Sequence, residues 1–150
     1  MKLIDETLLA FDFGLKRIGI AVGEARLGEA RALVTVAAEP NDARFAAIEQ
    51  LIQDWQPARL LVGRPLNDDG TAHAMTARCE RFANQLQGRF RLPVERVDER
   101  YSSLDADATL RAKGMSWQDR KARIDAEAAR VILQSWFDTT RNTSRVHRVQ

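Results

Sequence analysis

LLAFDFGLKRIGIAV, running from Leu8 to Val22, reads as a buried strand, a tight turn at Leu15 and Lys16, and a second strand. Asp12 stands inside the first run, between Phe11 and Phe13. A buried carboxylate without a partner costs several kcal/mol, so a chain that keeps one there must compensate it locally. The choices are an arginine or lysine, a hydrogen-bond network, or a metal ion.

Working outward, the first strand covers residues 7–14, the second 17–23, and a third is predicted over 30–38. After Pro40, the spacing of Phe45, Ile48, Leu51, Ile52 and Trp55 predicts a helix, with Asn41 as its cap and Pro57 as its stop. ARLLVG (58–63) reads as a short buried strand, followed by the loop RPLNDDG. Met75, Cys79, Phe82, Ala83 and Leu86 mark the apolar stripe of a helix over 71–88, which makes Cys79 a core residue. LPVERVDE (92–99) is the last strand, and Ser102 with Asp105 resembles a capping box for a helix ending at Gly114. Ser116 with Asp119 repeats that signal for a final helix to about Phe137, and the polar, basic tail 139–150 is expected to be loosely ordered. The expectation is a single α/β domain over 1–150, ordered from about 7 to 138, whose mixed five-stranded sheet begins with three antiparallel strands.

Composition narrows the chemistry. One cysteine, Cys79, excludes an internal disulfide and a multi-cysteine zinc site, and two histidines argue against histidine-rich metal chemistry. No apolar run approaches the roughly 20 residues of a membrane span, and MKLIDET lacks the apolar region of a secretory signal. A cytoplasmic location without a membrane partner is the expectation. The net charge of +2 is uneven: residues 1–75 carry 8 Lys/Arg against 11 Asp/Glu, and residues 76–150 carry 15 against 10. Of the 23 basic residues 19 are arginine, a bias that suits bidentate phosphate contacts and fits a nucleic-acid partner.

Two further acidic sites stand out beside Asp12. Asp98 and Glu99 leave the last strand together, and Asp125 aligns with Ala128, Ala129, Ile132, Leu133 and Trp136 on the apolar face of the final helix. Glu127 points elsewhere on that helix and is expected to be solvated. Separately, each acid has an ordinary explanation: Asp12 paired with Lys16 or Arg17, Asp98 or Glu99 with Arg100, and Asp125 favoured by the helix dipole. Together they describe a carboxylate cluster, which calls for a hard divalent cation, Mg²⁺ or Mn²⁺, and suits phosphoryl transfer.

Four blocks, FDFGLKRIGIAVG, VGRPLNDDGT, VDERYSS and IDAEAARVIL, resemble in order those of the YqgF/RuvX family of Holliday-junction-resolvase-like proteins, over roughly residues 8–137. The resemblance implies a ribonuclease H-like fold and metal-dependent phosphodiester hydrolysis in maturing the 5′ end of 16S rRNA. It implies Asp12, Glu99 and Asp125 as catalytic acids, with Asp98 beside Glu99 as a further metal ligand. Lys16, Arg17 and Arg100 flank the acids as phosphate contacts, and Arg64, Asn67 and Ser102 are further candidates for gripping nucleic acid. Precursor rRNA is the first partner expected, and structured DNA the second. A non-catalytic RNA- or ribosome-binding maturation factor and a junction-cutting DNA resolvase are the alternatives. An ATPase is disfavoured, because no GxxxxGK[ST] loop is present and 150 residues do not supply a second nucleotide-closing domain. Oligomeric state is not legible in the sequence.

Overall fold

The computed structural model describes residues 6–65, 74–99 and 108–149. Strands β1 (Thr7–Phe13), β2 (Arg17–Glu24) and β3 (Glu29–Ala37) form an antiparallel meander. Helix α1 (Asn41–Trp55) leads to β4 (Arg59–Pro65), and α2 (Thr76–Phe90) leads to β5 (Val94–Glu99). A helical segment, α3, occupies 108–112, and α4 runs from Trp117 to Val149. The sheet order is β3-β2-β1-β4-β5, with β4 parallel to both β1 and β5. The mixed sheet expected from the element order is therefore present.

Alternation along β1 sorts its residues onto two faces. Leu9, Phe11 and Phe13 pack with Ile20, Val22, Leu60 and Val62 beneath α1 and α2, around Phe82. Leu8 and Ala10 lie on the opposite face with Ala21, Leu61, Ala129, Leu133 and Phe137, beneath α4. Central strands covered on both faces read as continuous apolar runs, as β1 and β2 do. Cys79 is a buried thiol within the α2 packing and forms no disulfide.

Three details depart from the sequence expectation. Pro40 precedes α1 and no side chain caps it, so Asn41 is the first helical residue and not its cap. Helix α4 does not stop near Phe137 but continues through the tail to Val149. Residues 139–149 contain neither glycine nor proline, so nothing in that stretch breaks the helical backbone. Glu127 is buried at 4% exposure, where its carboxylate accepts from Arg130 Nε one turn along α4. No helix among the described residues is long and apolar enough to cross a membrane.

Candidate active site

Asp12 lies one residue before the end of β1, on the parity of Leu8 and Ala10. It therefore emerges on the α4 face, not among the phenylalanines that flank it in sequence. Its partner across the β1–β2 ladder is Gly19, and opposed residues of an antiparallel pair send their side chains to the same face.

Gly19 explains how Asp125 arrives there. A Cβ built on Gly19 would lie 1.8 Å from the Asp125 carbonyl oxygen and 2.6 Å from the Ala126 nitrogen. The backbone of α4 thus rests directly on β2 at the position facing Asp12, an approach that only glycine permits. Strand and helix acids 113 positions apart in the chain are brought to one face through one missing side chain. Asp125 is the ninth residue of α4, beyond the first turn in which the helix dipole acts, so the dipole does not account for it.

The Asp125 carboxylate is three-quarters buried and accepts from Arg17 Nε at 2.8 Å. This contact, more than simple proximity, holds the Arg17 guanidinium above its ordinary pKa. Half of the Arg17 side chain remains exposed, and such pairs contribute only about 0–1 kcal/mol. Arg17 is thus a removable counter-charge. Lys16 is exposed in the adjoining turn, within the same end of the sheet.

The end of β5 separates the two acids that the sequence left together. Asp98 is in register with Arg64, and Arg64 donates from Nε to Asp98 Oδ1 at 2.7 Å and from Nη1 to Glu80 Oε1 at 3.1 Å. Arg96 reaches the other oxygen of Glu80 at 3.1 Å and Asn84 at 2.6 Å. Asp98 and Arg64 therefore belong to an ion-pair lattice on the α2 side, away from Asp12 and Asp125. Position 99 pairs with Pro65 and has the parity of Val97, which packs on the α4 face. Asn67, Arg100 and Ser102 lie outside the described residues. No group of three His, Cys, Asp or Glu side chains able to hold a metal is found among the described residues, where Asp12 and Asp125 are the two acids brought together.

Sequence reasoning missed Gly19 and the pairing of Arg17 with Asp125. The signal for the first was a glycine in the middle of an otherwise bulky strand, which marks a close backbone approach.

This architecture, with acids at one end of a β3-β2-β1-β4-β5 sheet under a long helix, is that of the resolvase-like α/β proteins. The RuvX family, described as Holliday junction resolvase, matches residues 6–139, and the chain belongs to it. It is 57% identical over 134 residues to a protein of Burkholderia mallei, covering 89% of each chain. It is 54% identical over 131 residues to one of Methylobacillus flagellatus, covering 87% of this chain and 90% of the other. Both carry a name that makes them candidate pre-16S rRNA nucleases. Among solved structures, Thermus thermophilus RuvC in complex with a Holliday junction shares the fold, with a TM-score of 0.55, 16% identity, and 91% and 97% of the two chains covered. The Fowlpox virus resolvase bound to Holliday junction DNA does so at a TM-score of 0.54 and 6% identity, covering 89% and 98%.

Proposed function

We propose that the protein is a divalent-metal-dependent nuclease that hydrolyses RNA phosphodiester bonds in pre-16S rRNA, acting in the cytoplasm on free precursor or on ribosomal particles. The observation that carries the reading is the meeting of Asp12 and Asp125 across Gly19. Family membership supports nuclease chemistry, and the names of relatives above 50% identity favour RNA over a DNA junction.

The donor set fits a hard cation: carboxylate oxygens with no histidine or thiolate among them. In this reading Asp12, Asp125 and Glu99 hold Mg²⁺ or Mn²⁺. Asp98, paired with Arg64 on the α2 face, is left out of the ligand set in this reading. When bound, the metal supplies Lewis-acid stabilisation of the charge that builds on phosphate oxygens and eases deprotonation of the attacking water. In hydrolysis, water oxygen bonds to phosphorus, the bond to one ester oxygen breaks, and a phosphomonoester and a hydroxyl end result. Asp12, fixed by the β1–β2 ladder, sets the position of the phosphate. Arg17 balances Asp125 in the resting enzyme, then turns its exposed fork to a phosphate oxygen. Lys16 adds a second positive charge beside the incoming strand.

The test is incubation with a precursor rRNA leader, a four-way DNA junction and unstructured controls, with Mg²⁺, Mn²⁺ or EDTA. Cutting of the leader that needs metal and disappears in Asp12→Asn and Asp125→Asn is expected. Preferential cutting of the junction would replace RNA with DNA as substrate. RNA binding without cleavage under either metal would leave a binding factor and end the catalytic reading.

A further inference from the structure

Beside the acids, α4 and β3 enclose a cavity of about 630 Å³. Its volume is within the range of small-ligand pockets. One wall is the edge strand β3 from Ala30 to Thr35, and the other is α4 from Arg123 to Arg130, closed at one end by Leu110 and Met115. The floor is open at Ala32, which is exposed and shares the α4 face with its ladder partner Ala21. The rim is cationic. Lys113 and Arg123 are both exposed and form no ion pair among the described residues, whereas Arg130 is neutralised by Glu127.

The cavity is continuous with the candidate active site. Arg123 and Ala126 line it and bracket Asp125 on α4, while Gly19, under Asp125, lies on the strand next to β3. A strand with a phosphate between Asp12 and Asp125 would enter this groove on leaving the acids. Cations without an ion pair among the described residues, above an open apolar floor, match a phosphate backbone at the rim with bases turned toward Ala32. An edge strand also offers its outer backbone N–H and C=O groups to sugar hydroxyls.

We propose that the β3–α4 groove holds the single-stranded RNA that flanks the scissile phosphate, with Lys113 and Arg123 as its phosphate contacts. This rests on the nuclease reading above and extends it to a segment of substrate several nucleotides from the reacting bond.

The test is fluorescence anisotropy of labelled single-stranded RNAs of about 6 and about 20 nucleotides, in EDTA so that no cutting intervenes, across a salt series. The wild type binds the longer RNA more tightly. Lys113→Glu with Arg123→Glu weakens the longer RNA about tenfold, reduces the slope of log affinity against log salt by about 1.4, and removes most of the length dependence. Ala32→Glu, on the open floor, is expected to produce the same loss and serves as the test should the charge-reversed protein fail to fold. Circular dichroism and thermal melting confirm the fold of each variant. Unchanged affinity and salt slope in folded variants overturn the groove, and so does a length-independent wild type. Tighter binding of an extended peptide than of RNA, insensitive to the two charge reversals, also overturns it and makes β3 a strand-addition edge. Because the assay contains no metal, it decides the groove whether or not the cleavage assay shows cutting.

Discussion

The two faces of the sheet are built from different residues and do different work. Under α1 and α2 the contacts are aromatic: Phe82 stacks on Phe13 at 4.7 Å and meets Phe11 edge-on at 5.8 Å, while Arg44 lies 5.5 Å above the Phe82 ring. Burial there pushes the Arg44 guanidinium below its ordinary pKa, with the positive charge of Arg89 adding to the effect. Under α4, beside Leu8 and Leu61, the strands carry small residues, Ala10, Gly19, Ala21 and Gly23, and at Gly19 the helix backbone comes down onto the strand. Large side chains fill volume and supply most of the apolar stabilisation. Small ones fix where a helix sits, and the candidate site lies on the face where that position is set by backbone contact.

The same division decides the fate of the acids. Asp98, on the α2 side, is absorbed by Arg64 and the Glu80–Arg96 lattice. Asp125, on the α4 side, is paired among the described residues with Arg17, half of whose side chain is exposed. Among the described residues the arginine on Asp98 is shared with a second acid, Glu80, whereas the arginine on Asp125 is not, which leaves Asp125 the more available to a cation.

Breaking the comparison at its chemical end gives the largest effect. Asp12→Asn is expected to reduce RNA cleavage about a thousandfold, roughly 4 kcal/mol of transition-state stabilisation, with a thermal midpoint close to that of the parent. At the other face, Phe82→Ala is expected to lose about 3–5 kcal/mol in urea unfolding, with cleavage per folded molecule retained. Gly19→Ala tests the small-residue face directly. Its Cβ meets immobile backbone, so a loss of about 3 kcal/mol and a displaced α4 should abolish activity together with stability. Gly88→Ala on α2, where a Cβ meets nothing within 4 Å, should instead stabilise by about 0.5–1 kcal/mol. Arg17→Met completes the series: stability changes by less than about 1 kcal/mol, while Mn²⁺ affinity measured by calorimetry rises because Asp125 is no longer shared.

Most of the fold was legible because the local signals were strong. The Leu15–Lys16 hairpin, the helix ending before Pro57 and the Phe82 stripe each follow from periodicity and turn chemistry. What failed depends on tertiary neighbours. Glu127 reads as solvated on a helical wheel, yet it is buried with its charge met by Arg130. The tail reads as loose from its polarity, yet polar residues without a breaker extend α4. At the site, alternation along β1 made Asp12 conspicuous, but choosing between Asp98 and Glu99 needs the β4–β5 register, which pairs 98 with Arg64. Gly19 carried a signal of close backbone approach, but which element crosses it becomes known only from the tertiary structure.

The central claim is that Asp12 and Asp125 share one cation, and a Mn²⁺ titration followed by electron paramagnetic resonance tests it most directly. The account predicts a bound Mn²⁺ population in the parent that falls at least about tenfold in affinity in both Asp12→Asn and Asp125→Asn, with Asp98→Asn unchanged. Equal Mn²⁺ binding by the parent and the two site variants, or loss confined to Asp98→Asn, would contradict it.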